Sequence, residues 1–162
     1  MPFENLPGRL QERLTGIVNI DVTAQARIAS WQLGGKILDD NPWLGVGYNH
    51  LYWVKHDYDP LVVPSHAAAG FDSSLLTIAV GTGTIGLILF LIIYCLVFRR
   101  ALQTYKDKAG LPYRQGVALA LLAIFVALFL HSQFVNSLLY PQLLIVFWYL
   151  VGLLYLAPKK VK

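Results

Sequence analysis

From Ser73 to Phe98 the chain reads SSLLTIAVGTGTIGLILFLIIYCLVF, 26 residues without a charge between Asp72 and the pair Arg99 and Arg100. At about 1.5 Å of rise per residue this run crosses a hydrocarbon core of roughly 30 Å with some tilt, so it predicts a membrane helix over 73–98. Two more apolar runs, 116–134 and 141–157, predict a second and a third crossing. Pro141 opens the last in the first-turn position that proline tolerates. The pattern before Asp72 is different. Leu10, Leu14, Ile17 and Val18 recur at helical spacing, and from about Thr23 to Leu38 the residues Ala24, Ile28, Trp31, Gly35 and Leu38 step by three or four. That spacing predicts an amphipathic helix over about 23–38, capped by Asp21 or Thr23 and ended by Asn41-Pro42. Within 73–98, Ala79, Gly83 and Gly86 form a small-residue ridge that lets helix backbones approach. Thr77, Thr82 and Thr84 can return their hydroxyls to backbone carbonyls or donate to a neighbour. The outer half of this helix is thus expected against protein and the bulky LILFLIIYCLVF against lipid.

Composition agrees, with 56% apolar residues and a mean hydropathy of +0.54. Residues 1–72 carry five basic and eight acidic groups, whereas 73–162 carry eight basic groups against Asp107 alone. Lys and Arg in short loops favour the cytoplasmic side, so 99–115 and the tail 158–162 are expected inside, 1–72 and the link 135–140 outside. The chain therefore reads as an all-α membrane protein, three transmembrane helices preceded by an extracytoplasmic region with short amphipathic helices. Nucleic acid is not an expected partner, because the positive charge follows the membrane segments. The opening MPFENLPGRLQERL has no apolar export segment. A C-terminal fragment of a larger multi-span protein is the expectation, with missing N-terminal helices or a second copy as partners beside membrane lipids. The lone Cys95 has no partner for a disulfide or a cysteine metal cluster.

Candidate chemistry lies on the acidic side. Arg27 and Trp31 share a helix face, where the arginine is either a solvated neighbour of a buried indole or a clamp for phosphate oxygens. PWLGVGY, residues 42–48, is a tight turn in which Gly45 and Gly47 permit unusual backbone conformations. It lacks the strand and the third glycine of a nucleotide-binding motif. Tyr48, Asn49, His50, Tyr52, Trp53, His56, Asp57, Tyr58, Asp59 and His66 mix aromatics with polar groups, as in a headgroup belt or a sugar-binding surface. Their order lacks the spacing of a helical zinc site, and no metal or cofactor is expected. The topology brings Asp72 and His131 to the same outer face. Asp72 is either the N-cap of the first membrane helix or a functional carboxylate.

Three features resemble the O-antigen ligase and polymerase superfamily, multi-span enzymes that handle polyprenyl-diphosphate-linked sugars outside the bacterial inner membrane. ARIASWQLGGKILDDNPWLGVGYN is similar to the arginine, tryptophan and NP-x-x-G-x-G run of the family's large periplasmic loop. Asp72, Ser73, nine residues, Gly83, Thr84, Ile85 and Gly86 match the family spacing at the start of the following helix. Three closing helices with a basic loop after the first complete the likeness. The ligase histidine is Asp72 here, which favours a polymerase-like relative. The resemblance implies catalysis by Asp72 and Arg27, substrate binding by Arg27, Trp31, Tyr48, Asn49 and His131, a polyprenyl-diphosphate-linked donor, and a glycan or lipid acceptor. A non-catalytic membrane module, or an inactive short form, is the alternative.

Overall fold

The computed structural model describes residues 20–61, 70–107 and 111–156; the apolar positions Leu10–Val18, His66 and the basic tail lie outside them. Among the described residues the chain is all helical: α1 (Ile20–Asp40), α2 (Leu51–Tyr58), α3 (Ser74–Lys106), α4 (Pro112–His131), a turn of 3-10 helix (Ser137–Leu139) and α5 (Pro141–Leu156). Among the described residues two helices, α3 and α4, are long and apolar enough to cross a membrane, where three are expected. The 16 residues of α5 rise only about 24 Å, short of a hydrocarbon core of roughly 30 Å. The 33 residues of α3 rise about 50 Å. α3 runs on through Arg99 and Arg100 to Lys106, and α4 already begins at Pro112, so most of the expected loop 99–115 is helix.

α3 is broken at Gly83, whose φ of 71° and ψ of −178° no helix contains. In an unbroken helix the Thr84 amide would donate to Val80 O and the Ile85 amide to Gly81 O. Here all four groups turn to the loop after α1. Thr84 N donates to Pro42 O at 2.8 Å and Ile85 N to Trp43 O at 3.4 Å, while Val80 O accepts from Val46 N at 2.9 Å and Gly81 O from Gly47 N at 3.0 Å. The Thr84 hydroxyl adds a bond to Pro42 O at 2.7 Å. The PWLGVG turn thus fills the gap that it faces. Gly83 was expected to let another helix approach; it lets a loop approach instead. A Cβ on Gly83 would lie 2.1 Å from Trp43 O, and one on Gly45, whose φ is 67°, would lie 2.4 Å from Val80 O. Two glycines with left-handed backbones face each other across the junction, and neither has room for a side chain.

This junction sets the heights of the flanking helices. Trp31 and Ser73 line one groove, Gly34 faces the Leu76 side chain, and Pro42 meets Thr84; each pair is 42 residues apart, so α1 runs parallel to α3 in constant register. Beyond the turn, α2 reaches both α3 and the end of α1, where Tyr58 bonds Asp40. Gly47 pairs with Gly81, Leu51 lines a groove with Thr77 and Ile78, and Lys55 donates to Gly70 O. Ile37, Leu51, Phe71 and Val80 form the buried centre of this upper unit, with Leu33, Leu38, Val46 and Leu76 around it. The apolar face of α1 is therefore rotated from the expected one. Gly34 and Ile37 face α3, while Ile28 is 50% and Trp31 40% exposed. The short backbone of Gly34, not Gly35, gives Leu76 its seat.

A second core joins the lower half of α3 to α4 and α5 through Tyr94, Val97, Ala101, Val117, Ala118, Leu121, Phe147, Val151 and Leu154. Tyr94 stacks on Phe147 with ring centroids 5.3 Å apart. Above the break Ser74, Thr77, Ala79, Val80 and Gly81 are buried. Below it Ile85, Ile88, Leu89, Ile92, Ile93 and Leu96 are exposed. The expected division into a protein-packed half and a lipid-facing half is therefore only partial, because Tyr94 and Val97 below the break are buried against α4 and α5 while their neighbours on the other side are exposed.

Gly83→Ala and Gly45→Ala are each expected to destabilise the protein by roughly 1–3 kcal/mol from backbone strain alone, with more from the clash. Gly35→Ala and Gly116→Ala, which meet nothing within 4 Å, should be neutral or slightly stabilising. Thermal unfolding of the detergent-solubilised variants checks both, and a Gly83→Ala midpoint equal to wild type would contradict the interlocked junction.

Candidate functional site at the start of α3

The cap of α3 is Ser73, whose side chain accepts from Leu76 N at 3.4 Å, so the capping role considered for Asp72 belongs to its neighbour. Asp72 is left exposed, one residue before the cap. Ser74 ties this point to the far end of α4. Its amide donates to Ser132 O at 2.8 Å, its hydroxyl donates to Val135 O at 3.0 Å and accepts from Leu138 N at 3.2 Å. Thr77 Oγ1 accepts from Phe71 N at 2.8 Å and offers its one proton to Ser73 O at 2.9 Å or Asn136 Oδ1 at 3.0 Å. A Cβ at position 70 would fall 2.3 Å from Asn136 Nδ2, so a side chain there would have to displace that amide. Short side chains thus knot 70–77 to 132–138, and the bond between Ser74 and Ser132 holds Asp72 and His131 at the same end of the molecule, as expected. His131 is exposed there, in the last turn of α4.

Beside this knot lies an open groove of about 370 Å³ lined by Trp31, Ser73, Leu76, Gln133 and Phe134. Its Trp31 wall comes from α1, its Ser73 wall from the residue after Asp72. Arg27, half-buried, stands one turn before Trp31 on the same helix face, about 6 Å further along the axis and past the level of Ser73. Tyr48 and Asn49 are elsewhere. They line a second groove of about 470 Å³, with Thr77, Gly81, Thr82, Leu89 and Ile93 among its walls. Asn49, with φ of 60°, holds the left-handed turn that leads into α2. The structure therefore divides the six expected residues. Trp31, Asp72 and His131 gather at the start of α3 with Arg27 beyond them, whereas Tyr48 and Asn49 sit deeper, near the break.

One charged residue of the site was not singled out in the sequence. Lys55 is only 6% exposed. Its ammonium donates to Gly70 O and lies 4.0 Å from the centre of the Phe71 ring. Burial pushes its pKa down to about 8, with the charge of Asp72 pulling the other way. The signal was its place on the inner face of α2, four residues after buried Leu51. In the same last turn of α2, Tyr58 donates to Asp40 Oδ2 at 2.5 Å; that bond raises the phenol pKa above its ordinary value. Lys36 lies 5.8 Å over the same ring.

The O-antigen ligase family model matches residues 8–91. The chain belongs to the O-antigen ligase family. With its apolar helices α3 and α4, it is a membrane protein of that family. The matched stretch includes α1, the PWLGVG turn, α2 and the broken part of α3, and so contains the whole junction. Comparison with curated proteins and with solved structures gave no match.

Ser74→Ala removes one donor and one acceptor from a fully buried position and should cost roughly 1–3 kcal/mol, read from thermal unfolding; an unchanged midpoint would show that the knot is not holding. Lys55 also gives a pH signature. Between a folded pKa of about 8 and the ordinary 10.5, the unfolded chain holds a proton that the folded chain has released, so stability rises with pH. The rise should be visible from about pH 8 to pH 10, before tyrosine ionisation intervenes, and Lys55→Met should flatten it.

Proposed function

We propose that this protein transfers or polymerises glycans from a polyprenyl-diphosphate-linked donor at the outer face of a bacterial inner membrane, as part of cell-surface polysaccharide assembly. The observation that carries the reading is the register of α1 on α3. That register brings Trp31 into one groove with Ser73, and in this reading Arg27, one turn further along α1, serves the same end of α3, where Asp72 is relieved of capping by Ser73. In this reading the acidic end of α3 faces outward and Arg99 and Arg100 face the cytoplasm.

The acceptor sugar brings a hydroxyl. Asp72, as general base, takes its proton while the oxygen attacks the anomeric carbon of the donor. The bond from that carbon to the diphosphate oxygen breaks, and the electron pair leaves with the polyprenyl diphosphate. Arg27 binds this leaving group with its forked donors and stabilises the charge that grows there. Trp31 offers an apolar wall for a sugar face, and His131, two residues before the groove-lining Gln133, a polar group near the other side. Tyr48 and Asn49, beside the apolar groove that runs down α3, suit the carrier where its headgroup meets its chain. The carboxylate at position 72, where the ligase pattern has histidine, favours polymerisation over ligation to a lipid acceptor.

Arg27→Ala and Asp72→Asn, introduced singly into the full-length protein in cells without the wild-type copy, are the test. Each should lower polymeric or ligated glycan by about 10²-fold or more, with protein level in the membrane unchanged. Wild-type glycan from both variants would refute the assignment.

A further inference from the structure

We propose that Lys55 is a positioning residue for Asp72: its ammonium, bonded to the Gly70 carbonyl and seated on the Phe71 ring, fixes the approach to α3 and supplies the counter-charge of the Asp72 carboxylate. The proposal rests on the reading of Asp72 as the general base and deepens it.

The geometry argues for a role beyond packing. A buried ammonium is costly unless paired, and a methionine of similar reach would fill the same seat without that cost. Two contacts hold the amine, and both belong to the segment that ends in Asp72. The Phe71 side chain is almost fully buried and its amide is bonded to Thr77 Oγ1, so the segment has little freedom to move away from the amine. Other charged groups on the neighbouring elements are arranged differently. On α1, Asp40 accepts from Tyr58 and Lys36 lies over the Tyr58 ring, so both are engaged three residues beyond Lys55 in the last turn of α2. On α2 itself, His56 and Asp57 are exposed while Lys55 faces inward. On α3, the side chain meeting this segment is the neutral Thr77. Asp72 is the carboxylate whose charge acts on Lys55.

A consequence separates the charge from the anchor. Above about pH 8 the amine loses its proton but keeps N–H donors for Gly70 O, so the segment stays tied while the counter-charge disappears. Glycan transfer should therefore fall on an alkaline limb with its midpoint at about pH 8. Lys55→Arg, whose guanidinium stays charged, should move that limb beyond about pH 10. Lys55→Met should abolish it and lower the output at neutral pH several-fold.

A measurement that needs no turnover decides the matter. The protein is labelled with 13C at aspartate carboxyls, reconstituted in nanodiscs and titrated, the Asp72 signal being assigned by its loss in Asp72→Asn. Wild type should show a step in the Asp72 signal near pH 8, absent in Lys55→Met and in Lys55→Arg. No step in wild type, or a step that survives in Lys55→Met, would overturn the proposal. A step near pH 8 combined with full glycan output from Asp72→Asn would keep Lys55 as counter-charge and remove the base role from Asp72, so the two readings fail separately.

Discussion

A helix broken inside apolar surroundings must have its freed backbone groups bonded again, because each one left bare in lipid costs several kcal/mol. α3 solves this by exchanging two internal hydrogen bonds for four to the PWLGVG turn. The exchange works only if the two backbones come within hydrogen-bonding distance over several residues on each side. Glycine at 45 and at 83 makes that approach possible, since the space a Cβ would need on either is already taken by the backbone of the facing segment.

Everything at the candidate site is measured from that junction. From Pro42 at Thr84, α1 runs back in parallel with α3 and delivers Trp31 to the level of Ser73. Beyond Gly47 at Gly81, α2 presents Lys55 to Gly70 and Phe71, while its last residue, Tyr58, returns to Asp40 at the end of α1. Two helices on either side of one turn thus flank the residues around Asp72. The serine and threonine knot then adds the end of α4, and with it His131. The lower core of aromatic and aliphatic side chains holds the apolar helices together and reaches the knot through Leu138, whose amide donates to Ser74.

Much of this was legible in the chain. The uncharged run after Asp72, the stop at Asn41-Pro42 and the small residues in the upper half of α3 are direct physical signals, and α1, α3 and α4 follow from them. α5 misled because an apolar run of suitable composition ended one turn short of a crossing. The stripe on α1 misled because helical spacing alone cannot say whether Gly34 or Gly35 faces a neighbour; the Leu76 side chain decides it. The break at Gly83 was hidden in a stretch that reads as a continuous membrane helix. Its signal was the pairing of two glycine motifs, G-V-G in the turn and G-T-G in the helix, whose meeting only the fold displays. Lys55 was hidden for a related reason, since a lysine among polar and aromatic residues looks solvated until Gly70 and Phe71 are brought to it.

Amide hydrogen exchange, read by mass spectrometry on the protein in nanodiscs, reaches the junction directly. If the turn is bonded into the break, amides of Val46, Gly47, Thr84 and Ile85 exchange as slowly as their neighbours inside α3, although the turn is not helical. Exchange of Val46 and Gly47 at the rate of an open loop, with α3 protected without interruption through Gly83, would contradict the account.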